Sequence, residues 1–200
     1  AMVVCSESLL PSQVSIREVN RGQMNICVIG TGYVGLVTGA VFADLGNEVV
    51  CVDASSEKID MLRVGRMPIY EPGLEEMVRR SVEDGRISFQ TDLSEGVARS
   101  EIVFIAVGTP PGPDGEPDLS QVIAVAEGVA RHIDSYKVIV NKSTVPIGTG
   151  NLVREIIEKN KTSDADFDVV SNPEFLREGS AINDTLYPDR IIIGAPSQTV

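Results

Sequence analysis

The stretch "MNICVIGTGYVGLVTGAVFADLG" constrains this chain more than any other. A short apolar run ends in glycine, the GxGxxG pattern of Gly30, Gly32 and Gly35 follows at once, and helical spacing then runs to Gly46. A second apolar run, "NEVVCVD", ends in the acid Asp53, roughly 20 residues beyond the first glycines. Gly30 permits the tight turn, Gly32 lets backbone approach a diphosphate, and Gly35 lets the helix pack close to the sheet. The alternative is an ordinary glycine turn between strand and helix. The flanking strand, the helix and the downstream acid together favour a dinucleotide loop, with Asp53 accepting from the adenosine ribose. A carboxylate there repels a 2′-phosphate and no arginine follows it, so NAD is favoured over NADP. Lys58 either reaches the ribose or phosphate edge or belongs to a solvated helix face.

The rest of the chain repeats the alternation of apolar run and helical pattern. "ISFQT", "EIVFIAVG", "KVIVNKS", "FDVVSN" and "RIIIG" read as strands, with helices between them and no internal repeat. That order predicts an α/β fold, a doubly wound Rossmann-type parallel sheet with helices on both faces. Aromatic residues make up 4% of the chain and Trp is absent, so the core must rest on Val, Ile, Leu and Ala, which suits such a sheet. Ser55 or Ser56 can cap the helix "EKIDMLRVG", and Asp92 the helix "DLSEGVARS". The pattern of "GLEEMVRRSVEDG" puts Leu74, Met77, Val78 and Val82 on one apolar face. Residues 1–23 are expected to be a flexible N-terminal extension, and 24–200 a single dinucleotide-binding domain.

The net charge of −12, with no basic run, argues against nucleic acid or an anionic membrane as partner. No stretch has the ~18 consecutive apolar residues of a membrane span. Cys27 and Cys51 lie in strand-like runs and read as small buried hydrophobes, which fits a reducing cytoplasm. His132 lacks ligand-spaced neighbours, so no metal site is expected.

Three later strand ends carry candidate chemistry, because ligands in such sheets lie beyond the carboxyl ends of strands. Thr109, in "AVGTPPGPDGEPD", is placed to touch the cofactor, whereas Pro111 to Glu116 read as a flexible surface loop. Thr144, in "NKSTVPIGTG", either orients a water or substrate oxygen or caps the next helix. In "SNPEFLREG", Glu174 and Glu178 share one face if Pro173 opens a helical turn. They are either a solvated pair or acids turned toward the same crevice.

"IGTGYVGL", "PIYEPGLEE", "VGTP", "KSTVP", "NPEFLREG" and "PDRIIIG", in this order and spacing, resemble the amino-terminal domain of the UDP-glucose/GDP-mannose dehydrogenase family. "STVPIGT" and "PDRIIIG" look more like its UDP-glucose branch. The resemblance implies oxidation of a nucleotide-sugar C6 alcohol to a carboxylate, UDP-glucose to UDP-glucuronate in that branch, with reduction of two NAD through a cysteine thioester. GDP-mannose or a UDP-N-acetylaminosugar remain alternative substrates, as does a catalytically silent NAD-binding module. The resemblance further implies cofactor roles for Gly30, Gly32, Tyr33, Val34, Gly35, Asp53, Lys58 and Thr109. Thr144 would position the water and nicotinamide, Glu174 would be the acid/base, and Glu178 would sit between cofactor and active site. Glu174, Phe175, Leu176 and Arg177 would lie against the sugar nucleotide. The family's nucleophilic cysteine and catalytic lysine belong to a second domain that nothing here matches, so this chain alone is expected to be inactive. Full-length members of the family are usually homo-oligomers.

Overall fold

The computed structural model describes residues 2–5, 22–113 and 115–195, the first four by their backbone alone. Most of the expected leader, residues 6–21, lies outside the described residues. Within it, Met2–Cys5 forms strand β1.

The expected strands form β2 (Asn25–Ile29), β3 (Glu48–Val52), β4 (Ile87–Gln90), β5 (Ile102–Ile105), β6 (Lys137–Asn141), β7 (Phe167–Ser171) and β8 (Ile191–Gly194). Between them run α1 (Tyr33–Asp44), α2 (Ser56–Arg63), α3 (Leu74–Glu83), α4 (Leu93–Ala98), α5 (Ser120–Ala130), α6 (Thr149–Asn160) and α7 (Ala181–Leu186). Among the described residues the sheet order is β1-β8-β7-β6-β5-β2-β3-β4, with β4 to β7 and β2 to β3 all parallel.

Period-two alternation sends each strand's side chains to opposite cores. Val28, Cys51, Phe89 and Phe104 face one layer, where α1, α2, α3 and α7 contribute Leu36, Ile59, Leu74 and Ala181. Cys27, Val52, Val103 and Ile139 face the other, covered by Val97 of α4, Val122 of α5 and Val153 of α6. Both cysteines are fully buried, as the sequence implied, and desolvation pushes the Cys51 thiol up to about 12. Ser55 and Asp92 cap α2 and α4 with side-chain oxygens that accept from Lys58 N–H and Ser94 N–H.

Two expectations need correction. Val82 is 45% exposed, and Ser81 takes the inward position at the end of α3. β8 runs antiparallel to β7. α7 has only six residues, about 9 Å of helix, against the ~17 Å of a five-residue strand. It does not carry the chain back to the start of the sheet, so β8 returns from the carboxyl end. In the loop after β5, Gly112 N–H donates to Glu116 O at 2.7 Å and Pro111 forms an antiparallel bridge with Pro117.

Candidate functional site

β2 leads by α1 to its neighbour β3 on one side, and after β4 the chain crosses to β5 on the other side of β2. The strand order therefore reverses between β2 and β5, and their carboxyl ends part to open a crevice. A cleft of about 520 Å³ occupies that place, within the size range of small-molecule sites. Gly30, Gly32, Asp53 and Lys58 line it, opposite Val107 and Gly108 from the β5 tip and Val125 of α5.

The three glycines do different work. Gly30 has φ 104, and a Cβ there would lie 2.4 Å from Ala106 O. A Cβ on Gly35 would lie 1.9 Å from Gly30 O. These two therefore let loop, helix and β5 pack. A Cβ on Gly32 would meet nothing within 4 Å: it would point into open space. The first bond of the α1 ladder is Leu36 N–H to Gly32 O at 2.9 Å, so the amides of Tyr33, Val34 and Gly35 precede the ladder. No side chain caps this end and no acid lies in the first turn. A helix start of this kind favours an anion.

Asp53 ends β3 and holds the loop. Its carboxylate accepts from Thr31 N–H and Thr31 Oγ1–H, both at 2.8 Å, and from Ser55 N–H at 2.9 Å, with Lys58 Nζ at 3.7 Å. Burial alone would raise its pKa. The donations from Ser55 and Thr31 and the charge of Lys58 outweigh that and hold it below the ordinary value. A carboxylate has about four lone-pair sites, so at least one remains for a ligand hydroxyl. The amides, the open side of Gly32 and this acid fit a dinucleotide such as NAD. Lys58 lines the cleft and also pairs with Asp53, so neither of its two sequence readings excludes the other.

The next strand tips are joined to each other. Thr109 Oγ1 donates to Thr144 O at 2.7 Å, and Ser143 Oγ donates to Val107 O at 2.8 Å. Thr144 is exposed, and α6 begins five residues later behind Gly148, which has φ 94. Thr144 is therefore not the helix cap.

Glu174 and Glu178 do not share a helical face. Asn172 to Arg177 form no helix, and α7 starts only at Ala181. Local bonds compete with the helix. Asn172 accepts from Lys142 Nζ at 3.2 Å and donates to Ile192 O at 3.0 Å. Glu174 Oε2 accepts from Leu176 N–H at 2.5 Å. Glu174, Phe175 and Leu176 line a small cleft of about 120 Å³ with Lys142. Desolvation lowers the Lys142 pKa, and the Glu174 charge partly restores it. Arg177 is held by Asp184 through Nε–H at 3.1 Å and an Nη2–H at 2.6 Å. Phe175 stacks under Arg190 at 5.1 Å. Glu178 is exposed, beside the Gly179 turn that reaches Tyr33.

Sequence reasoning missed Lys142, Thr31 and Glu71. Lys142 and Thr31 sit inside the quoted patterns, next to residues that were chosen. Glu71, 5% exposed, sits inside the quoted "PIYEPGLEE" but carries no periodic signal, because its partners are far away in the chain.

The fold and cleft define a dinucleotide-binding domain of the Rossmann type. Residues 24–200 match the NAD binding domain of the UDP-glucose/GDP-mannose dehydrogenase family. The chain is 54% identical over 172 residues to UDP-glucose 6-dehydrogenase TuaD of Bacillus subtilis, covering 86% of this chain and 37% of that one. It is 52% identical to a UDP-glucose 6-dehydrogenase of Pseudomonas aeruginosa, over 86% of this chain and 39% of that one. Among solved structures it resembles a UDP-glucose dehydrogenase from Pyrobaculum islandicum, with TM-score 0.86 and 44% identity over 96% of this chain and 43% of that one. It also resembles a ternary complex of GDP-mannose dehydrogenase from Pseudomonas aeruginosa, with TM-score 0.79 and 40% identity over 82% and 39%. This chain belongs to the UDP-glucose/GDP-mannose dehydrogenase family, as its NAD-binding domain. It spans about two fifths of the length of these relatives.

Proposed function

We propose that residues 24–200 are the NAD-holding domain of a UDP-glucose 6-dehydrogenase, which oxidises UDP-glucose to UDP-glucuronate, and that residues 1–23 are an extension before it. The observation that carries this reading is the cleft at the β2/β5 switch point, walled by Gly30, an open Gly32 and the acid Asp53, beside a helix start whose first amides precede the ladder. The substrate comes from the relatives' names. Bound NAD would supply the oxidant.

The chain's own residues divide the remaining work. Backbone at Gly30, Gly32, Tyr33, Val34 and Gly35 holds the diphosphate. Asp53 takes the ribose hydroxyls, and Lys58 steadies that edge. Thr109 fixes the Thr144 backbone, leaving the Thr144 hydroxyl to orient a water near the nicotinamide side. Glu174 takes a proton from that water at its carboxylate, since attack on a thioester needs a nearby base. Lys142 lines the same small cleft as Glu174. Glu178 borders cofactor and substrate, and Phe175, Leu176 and Arg177 flank the sugar nucleotide. No helix among the described residues is long and apolar enough to cross a membrane. We place the enzyme in the cytoplasm, as a homo-oligomer when full-length.

The test is calorimetry with NAD beside an NADH-absorbance assay with UDP-glucose. Cys27 and Cys51 are buried with raised thiol pKa values, so neither offers a thiolate. The expected result is NAD binding without turnover by this chain alone. Failure to bind NAD overturns the reading, and NADH formation overturns the assignment of the nucleophile to residues outside this chain.

A further inference from the structure

The Glu71 carboxylate lies at a junction of three segments distant in sequence. It is 5% exposed. The Tyr33 hydroxyl, at the first position of α1, donates to Glu71 Oε2. Gly179 N–H donates to the same oxygen at 2.8 Å and to the Tyr33 hydroxyl at 3.0 Å. Ala181 N–H, at the start of α7, donates to Glu71 Oε1 at 2.8 Å. One side chain thus joins the diphosphate-binding turn, the approach to α3 and the turn that follows Glu178. Burial by itself would raise the Glu71 pKa, but donation from Tyr33, Gly179, Ile182 and Ala181 holds it below the ordinary value, so it stays ionised.

We infer that Glu71 is a positioning residue that couples dinucleotide occupancy of the Gly30–Gly35 loop to the placement of the segment carrying Glu174 and Glu178. The inference rests on the NAD reading above. The Tyr33 amide follows Gly32 of the cleft wall and precedes the α1 ladder, and the Tyr33 ring leads from there to the carboxylate. A ligand that draws on the Tyr33 amide therefore pulls on one stiff aromatic ring, and through Glu71 on Gly179, whose φ of 88 marks a tight turn. Among the described residues Glu71 is the carboxylate to which Gly179 N–H and Ala181 N–H both donate, and with the direct bond from Gly179 N–H to the Tyr33 hydroxyl it ties the acidic segment to α1. A glutamine at 71 keeps the size and loses the match. Its amide nitrogen would face an N–H donor, leaving a buried donor unpaired.

The experiment is an NAD titration of the whole ¹⁵N-labelled 200-residue chain followed by amide resonances. Three proteins are compared: wild type, Glu71→Gln, and Tyr33→Phe, which removes a single hydroxyl and safeguards the test should Glu71→Gln misfold. In the wild type, NAD is expected to move Gly32 and Gly35 directly, and Gly179 and Ala181 through the junction. In the variants, at saturating NAD, Gly32 and Gly35 still move while the response of Gly179 and Ala181 is lost. A purely structural carboxylate would leave that NAD-dependent response intact in Tyr33→Phe. Equal responses in variants and wild type, or a wild type in which Gly179 and Ala181 stay still while Gly32 and Gly35 move, overturn the coupling. A wild type in which Gly32 and Gly35 stay still overturns the NAD reading itself, and the coupling with it.

Discussion

Gly32 and Gly35 differ by three positions, and alanine at each asks a different question. At Gly35 the new methyl would start 1.9 Å from Gly30 O and 3.0 Å from its carbonyl carbon, against backbone that has nowhere to retreat. Relieving that overlap costs about 1–3 kcal/mol or more, as overpacked cores do. In a domain of this size that is a fall of roughly 2–4 °C in melting temperature per kcal/mol. At Gly32 the methyl meets nothing within 4 Å and φ is −72, which any residue adopts. The chain-entropy gain of about 0.4–1 kcal/mol offsets alanine's weakness at a helix N-cap, so stability should stay within ~1 kcal/mol of wild type. A bound diphosphate, though, must come to that open side, and a methyl there holds it off. We expect Gly32→Ala to lose at least about tenfold in NAD affinity, or ~1.4 kcal/mol, while its melting temperature holds. Thermal unfolding and calorimetry on the same preparations separate the two effects. If Gly32→Ala binds NAD as tightly as wild type, the loop does not cradle the ligand in the way argued here.

Asp53→Ala should weaken NAD binding by about tenfold or more and also destabilise the chain, since buried Thr31 loses both its acceptors; unchanged affinity by calorimetry would remove Asp53 from the site. Lys137→Ala should destabilise by about 2–4 kcal/mol, because the 1%-exposed ammonium serves the carbonyls of Ala98 and Ser100. It lies at the opposite end of the sheet from the cleft, so NAD affinity should not change; a coupled loss of affinity in the folded variant would show that the cleft depends on that end. The carboxyl of Glu71 is held below its ordinary 4.5. Its contribution is therefore complete above that value and drains away as pH falls toward the depressed one. The gap in melting temperature between wild type and Glu71→Gln should accordingly narrow on acidification below about pH 4.5; a gap that is constant or widens there would contradict the assignment.

The glycine loop and the acid beside the cleft were legible because their signals are local. A turn needing positive φ at Gly30, a strand-end acid and a helix start all fall within one βαβ unit, and each follows from the neighbours in sequence. The acidic segment was legible only by position. Its conformation was not, because the groups that keep it from coiling are Lys142, Ile192 and Glu71, none of them nearby in the chain. β8 was found, but its direction was hidden for the same reason: hydrophobic patterning marks a strand and says nothing of which way it runs. Val82 failed because the apolar face of α3 turns outward at its last turn, where buried Ser81 replaces it.

The hydroxyls of Thr109 and Ser143 stitch the tips of β5 and β6 together in both directions, each donating to a carbonyl on the other strand's loop. Such reciprocal lacing makes the two loops a single jaw. Any widening of the mouth must then hinge on the Gly30 side or in the stretch after β7, and whatever nudges Gly108 carries Thr144 along with it.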